Sequence, residues 1–129
     1  MALTAQQMVK NAEAEIETID IKTALASVND ENLVYVDIRD IRELWREGKI
    51  TGATHAPRGM LEFWIDPESP YHRELFAQDK KFVFYCASAW RSALATLTAQ
   101  QMGLNACHIA GGFSAWKEAQ GPIESVEKK

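Results

Sequence analysis

The sequence predicts an α/β domain with a mostly parallel sheet. Two apolar runs carry the prediction. Asn32-Leu-Val-Tyr-Val-Asp37 and Phe82-Val-Phe-Tyr85 are rich in β-branched and aromatic residues, as strands buried on both faces are. Between and around them lie stretches with helical spacing, and strands alternating with helices imply a parallel sheet. The third observation is the set of helix stops and turns at Gly48, Gly103, Gly111-Gly112 and Gly121-Pro122.

In chain order, Leu3, Met8, Val9 and Ala12 suggest a short N-terminal helix, loose or packed on a partner. Asp20 reads as the N-cap of a helix through Ile21, Leu25 and Val28. After the first strand, Asp40 and Glu43 form a D-x-x-E capping box for a helix from Ile41 to Glu47 that stops at Gly48. Ile50 to Ala56 reads as loop plus a short strand. Arg58 to Asp79 has no clean period and several aromatics, which either wall a pocket or cover one edge of the core. A helix from Ser92 to Met102 follows the second strand, with Leu94, Leu97, Thr98 and Met102 at core spacing. Ala106 to Ile109 is a short strand and Phe113 to Ala119 a last helix. The domain is therefore expected over residues 16–123, preceded by a helical extension at 1–15 and followed by a polar, frayed tail at 124–129.

Composition narrows the function classes. A chain of 129 residues forms one domain with one proper core. Apolar residues make up 47% and charged residues 25%, ordinary values for a globular protein. The net charge is −4 and basic residues form no block, which argues against nucleic acid. No apolar run reaches the length of a membrane span, and the first residues lack a basic then apolar leader pattern. Two cysteines, Cys86 and Cys107, are then expected as free thiols in a reducing cytoplasm.

The chemistry concentrates at Cys86-Ala-Ser-Ala-Trp-Arg91-Ser92. Cys86 ends a strand, where α/β sheets place their sites. A helix begins near Arg91 or Ser92 and brings its positive end to the sulfur. The amides of Ala87, Ser88, Ala89, Trp90 and Arg91 are placed to curve around it, and the Ser88 and Ser92 hydroxyls to donate to it. Arg91 adds a fixed charge. Such surroundings favour a thiolate, or a sulfur anion one atom longer. The competing reading is a cysteine that is merely a small buried hydrophobe. Cys107 and Trp116 are expected in the core, and Trp45 and Arg46 on a helix surface. The histidines at 55, 72 and 108 show no ligand spacing, so no metal site is expected.

These motifs resemble those of single-domain rhodanese-like (sulfurtransferase homology) proteins. The resemblance rests on Val34-Tyr-Val-Asp37-Ile-Arg39 with Glu43, Gly48-Lys-Ile50-Thr-Gly52-Ala53, Phe82-Val-Phe-Tyr-Cys86 with Arg91-Ser92, and Gly111-Gly112-Phe113-Ser-Ala-Trp116. It implies a five-stranded parallel sheet flanked by helices on both faces, and a catalytic Cys86 that takes a sulfane sulfur from a donor such as thiosulfate. The persulfide then passes sulfur to a thiol, a protein acceptor or cyanide, with no cofactor. Arg39 is expected to be structural and tied to carboxylates such as Glu43. Four residues separate Cys86 from Arg91, the sulfurtransferase length; related phosphatases and arsenate reductases have five.

This loop departs from the family pattern. Ala87 stands where a basic residue is frequent, Ala89 where glycine is, and Lys49 where histidine is usual. The loop is expected to adapt rather than hold Ala89 at positive φ. Trp90 is either a lip of the pocket or a shield for the loop. Arg58, Phe63 and Trp64 are candidates for the pocket rim, with Arg58 supplying the charge that Ala87 lacks. The alternatives to a sulfurtransferase, acting as monomer or homodimer, are a non-catalytic protein-interaction module and, disfavoured by loop length, a thiol-based phosphatase or arsenate reductase.

Overall fold

A computed structural model describes residues 2–129, so of the expected N-terminal extension only Met1 lies outside the described residues. Five strands form one parallel sheet: β1 (Glu17–Ile19), β2 (Leu33–Asp37), β4 (Thr54–His55), β5 (Lys81–Tyr85) and β6 (Asn105–Ile109). Their spatial order is β1-β6-β5-β2-β4, with β5 in the middle. The expected five-stranded α/β architecture is observed.

The period of two in β5 divides the core. Phe82 and Phe84 face one apolar cluster with Val36, Leu61, Ile65, Phe76 and Cys86. It is covered by α4 (Leu61–Ile65) and α5 (Trp90–Gln101). Val83 and Tyr85 face the other, with Tyr35, Cys107, Ile109, Phe113 and Trp116. That side carries α2 (Ile21–Ser27) and α6 (Gly112–Glu118). Burying such side chains contributes roughly 1.5–3 kcal/mol each, so the two clusters dominate the fold. Trp116 and Cys107 are core residues, as expected.

The capping signals act as read. Asp20 caps α2 through the Thr23 N–H (2.7 Å). In α3 (Ile41–Glu47) the Asp40 carboxylate accepts from Arg42 N, and Glu43 Oε2 accepts from Asp40 N.

Two expectations at the chain ends are corrected, and one strand is added. The N-terminal helix α1 (Ala5–Glu15) packs on α5 of its own chain rather than lying loose. It buries Ala12, while Leu3 and Met8 stay exposed. Its end is tied down by Gln100, whose Nε2 donates to the Glu15 carbonyl at 3.0 Å. The C-terminal tail is not frayed where it leaves Gly121. Residues Ile123–Glu124 form β7, which pairs antiparallel with β3 (Lys49–Ile50) as a second small sheet. Glu124 Oε1 accepts from Gly52 N–H at 2.6 Å, and the Lys128 ammonium lies over the half-buried Trp45. β1 itself completes one edge of the main sheet. It forms because β6 offers it a partner, from Glu17 opposite Cys107 to Ile19 opposite Ile109.

Candidate active site

The central strand β5 ends at Tyr85 and delivers Cys86 to the C-terminal edge of the sheet. The thiol is 1% exposed and belongs to the apolar cluster under α5. Its sulfur also meets the first turn of α5. The Ser92 N–H donates to Sγ at 3.3 Å, and Ser92 Oγ lies 3.6 Å from it. Ser92 is the third residue of α5, so the sulfur takes the place of an N-cap oxygen. The residue in the N-cap position, Ala89, has no side chain that caps. This is why α5 begins at Trp90, two residues before the expected Ser92.

Ala89 is left-handed, with φ +78° and ψ 4°. The loop does not adapt away from positive φ; it accepts the strain. An L-residue there costs on the order of 1–2 kcal/mol. The Ser92 N–H is the one amide among the described residues that bonds Sγ, so the expected ring of residue 87–91 amides does not close on the sulfur itself. Among the described residues, no protein acceptor meets the N–H groups of residues 87 to 91.

The loop is clamped from behind by α6. Phe113 N–H donates to the Cys86 carbonyl (2.8 Å) and Ser114 N–H to the Ala87 carbonyl (3.1 Å). Gly112 makes this docking possible: a Cβ on it would stand 2.5 Å from the Cys86 carbonyl oxygen.

The arginines are partnered differently from the expectation. Glu43 pairs with Arg91, not Arg39: Nη1 and Nη2 reach its two oxygens at 2.8 and 3.0 Å. The pair holds the Glu43 carboxyl below its ordinary range and pushes Arg91 up; Cys86 adds to the latter effect. Glu43 therefore ties the start of α3 to the cysteine loop. Arg39 instead grips Asp37, through Nε (3.0 Å) and Nη2 (2.7 Å), and also donates to the Gly48 carbonyl. Both side chains are fully buried. The Arg39 guanidinium lies 4.2 Å from the Phe113 ring centroid. It is structural, as expected, and packs on Phe113, the residue whose N–H holds the Cys86 carbonyl.

The remaining candidates lie further out. Arg58 pairs with Glu62 (2.7 Å) and reaches Thr98 Oγ1 on α5 at 3.5 Å, so its charge is already met. Phe63 is exposed. Trp64 lies under the Arg73 guanidinium (4.1 Å) and lines a hollow of about 200 Å³ with Thr54, His55 and Phe76, which contains none of residues 86–92. Trp90 is 69% exposed and lines a different hollow with Val9, Lys10 and Glu13 of α1. It does not pack over the loop as a shield. Ser88 is exposed and Ala87 half-buried.

His108, weighed in the sequence only as a metal ligand, belongs to the site. It is fully buried in β6, with Nδ1 2.9 Å from Ser92 Oγ and Nε2 3.0 Å from Thr18 Oγ1. A histidine in the middle of an apolar strand needs polar partners, and that signal was present in Ala-Cys-His-Ile.

Comparison with known proteins agrees with this geometry. Residues 20–119 match the family model described as rhodanese-like domain. A Bacillus subtilis (strain 168) protein, YtwF, named as a sulfurtransferase, is 30% identical over 80% of this chain and 89% of its own. A Rhodopseudomonas palustris CGA009 structure, RPA3614, superposes with a TM-score of 0.93 at 52% identity, over 96% of each chain. That protein is described as of unknown function, a possible tyrosine phosphatase. The polysulfide-sulfur transferase homodimer of Wolinella succinogenes matches with a TM-score of 0.68 at 27% identity, over 92% of this chain and 85% of that one. With the family match spanning most of its length, a five-stranded parallel sheet and a cysteine loop at the sheet's centre, this chain belongs to the rhodanese-like domain family.

Proposed function

We propose that the protein is a rhodanese-type sulfurtransferase that carries sulfur on Cys86. One observation carries the reading. The buried Cys86 sulfur, bonded by the Ser92 N–H, opens a loop whose following N–H groups, those of residues 87–91, meet no acceptor among the described residues. Preorganised donors of this kind stabilise an anion at little reorganisation cost. They suit the outer sulfur of a persulfide, one bond beyond Sγ.

The first step is attack of the Cys86 thiolate on the outer sulfur of a donor such as thiosulfate. An S–S bond to Cys86 forms, the donor S–S bond breaks, and sulfite leaves with its electron pair. The outer sulfur, now the persulfide anion, rests against the loop amides, with Arg91 as nearby charge and loop anchor. An acceptor thiolate or cyanide then attacks that sulfur, and the Cys86 thiolate leaves. One difficult transfer becomes two displacements. All groups come from one chain, so a monomer or each half of a homodimer is complete. The two free cysteines suit a reducing compartment, and we assign the protein to the cytoplasm.

Incubation with thiosulfate followed by intact-mass measurement tests this. The expected result is a gain of one sulfur that Cys86→Ser abolishes. No gain with thiosulfate, polysulfide or a persulfide donor refutes it and favours a binding module. Hydrolysis of an aryl phosphate would instead favour the phosphatase chemistry suggested for the Rhodopseudomonas protein. The four residues between Cys86 and Arg91 form a narrower ring than that chemistry uses.

A further inference from the structure

We propose that His108 is a positioning residue for Cys86, setting through Ser92 whether the hydrogen bond at the sulfur points away from it or toward it. The inference rests on the sulfurtransferase reading for the identity of the sulfur anion.

Sheet register brings the chain of groups together. In the parallel pairing, Thr18 stands opposite His108 on β1, and Phe84 stands opposite it on β5. Directly opposed residues share a face, and Cys86, two residues after Phe84, lies in the cluster on that same face. The first turn of α5 covers it and brings in Ser92. The result is a continuous line: Cys86 Sγ, Ser92 Oγ, His108 Nδ1, His108 Nε2, Thr18 Oγ1. Its steps are 3.6, 2.9 and 3.0 Å between residues. One end is a buried sulfur; the other is a hydroxyl on an exposed residue of the edge strand.

His108 is hydrogen-bonded to these two hydroxyls and to no carboxylate. Burial lowers its pKa to about 4, so the ring is neutral at pH 7. A neutral imidazole has one N–H and one lone pair, and the line can therefore run in two directions. In the first, the thiol S–H donates to Ser92 Oγ, the Ser92 O–H donates to Nδ1, and Nε2–H donates to Thr18. In the second, the Thr18 O–H donates to Nε2, Nδ1–H donates to Ser92 Oγ, and the Ser92 O–H donates to the sulfur. The first direction fits a thiol. The second gives a sulfur anion two donors, the Ser92 hydroxyl and the Ser92 amide.

Loss of the thiol proton converts one direction into the other. The proton leaves sulfur for Ser92 Oγ. The proton Ser92 held passes to Nδ1, the Nε2 proton passes to Thr18 Oγ1, and the proton Thr18 held passes to water. Ser92 Oγ, the imidazole ring (gaining at Nδ1 and losing at Nε2) and Thr18 Oγ1 each gain one bond to hydrogen and lose one; sulfur keeps the electron pair and water takes the proton. No member of the line is left charged apart from the sulfur, and no buried hydroxyl is left unpaired.

Nitrogen-15 NMR of the imidazole tests this in the full-length reduced protein, at pH values below and above the loss of the Cys86 thiol proton as followed by thiolate absorbance. The expected result is a neutral ring protonated on Nε2 in the thiol form and on Nδ1 in the thiolate form. The same tautomer in both overturns the proposal. In single-turnover loading, His108→Val is expected to slow sulfur uptake about tenfold, the scale of one hydrogen bond to a charged group, with KM little changed. His108→Asn, which keeps a polar group near Ser92, is expected to restore most of the rate. Loading by His108→Val at the wild-type rate overturns the proposal. If wild type gains no sulfur, the sulfurtransferase reading falls by itself, and alkylation of Cys86 by iodoacetamide at pH 7 then decides. His108→Val must be about tenfold slower than wild type; equal rates overturn the relay.

Discussion

Replacing Gly112 by alanine should damage the cysteine loop without touching any reacting atom. The glycine has φ +57°, and an added Cβ would stand 2.5 Å from the Cys86 carbonyl oxygen and 2.9 Å from that of Ala87. Both neighbours are backbone, so no side-chain rotation relieves the contact. Reaching an ordinary 3.4 Å contact needs a relative shift of about 0.9 Å between α6 and the loop. Such a shift breaks the Phe113–Cys86 and Ser114–Ala87 hydrogen bonds, worth about 1 kcal/mol each. Positive φ adds about 1–2 kcal/mol for an L-residue. The sum is about 3–4 kcal/mol, or a fall in Tm on the order of 12 °C for a domain of this size. A displacement of about 1 Å at a reacting group also costs roughly a hundredfold in rate. Gly52→Ala is the control. Gly52 has φ +82° with nothing within 4 Å of its would-be Cβ, so that variant carries the φ strain alone. Thermal unfolding and single-turnover sulfur loading of both variants provide the assay. The reasoning fails if Gly112→Ala melts with Gly52→Ala, or if it loads sulfur at the wild-type rate.

Other outcomes follow from the same contacts. Arg39→Met leaves the fully buried Asp37 carboxylate without its guanidinium, and should cost about 3–5 kcal/mol in urea unfolding. Pairing it with Asp37→Leu should recover much of that loss, and a double variant no better than the single one would refute the account. Ala89→Gly relieves the left-handed strain at φ +78° and should raise stability by about 1 kcal/mol; a lower Tm would contradict it. The depressed His108 pKa makes stability depend on pH. Between about 4, its folded value, and 6.5, its ordinary one, the unfolded chain binds a proton the native protein does not. Stability therefore rises with pH across that window, and is lost as pH falls through it. His108→Val should flatten this part of the profile in urea titrations at pH 4 to 7; an unchanged slope would refute the assignment.

Much of this architecture was legible because its signals are local. The apolar runs at 33–37 and 81–85 become β2 and β5, and Asp40 with Glu43 makes the capping box that those letters spell. The position of Cys86 between strand and helix follows from the same patterns. What stayed hidden depends on partners far away in sequence. β1 and β7 are only three and two residues long, and they exist because β6 and β3 accept them. Glu43 could have met either Arg39 or Arg91; the choice was made by where the cysteine loop folds over α3, 48 positions later. The early start of α5 depends on a sulfur acting as cap, which no propensity describes. The Thr18–His108 contact spans 90 positions and exists only once the strands are in register.

The sulfur that caps α5 also gives the protein an internal reporter. Whatever chemistry occurs at Cys86 changes the acceptor of the Ser92 amide, in the first turn of a twelve-residue helix against which α1 rests. The resonance and deuterium-exchange rate of that single amide should therefore register whether the carrier atom is empty, loaded or chemically blocked, in real time and without any added label on the cysteine.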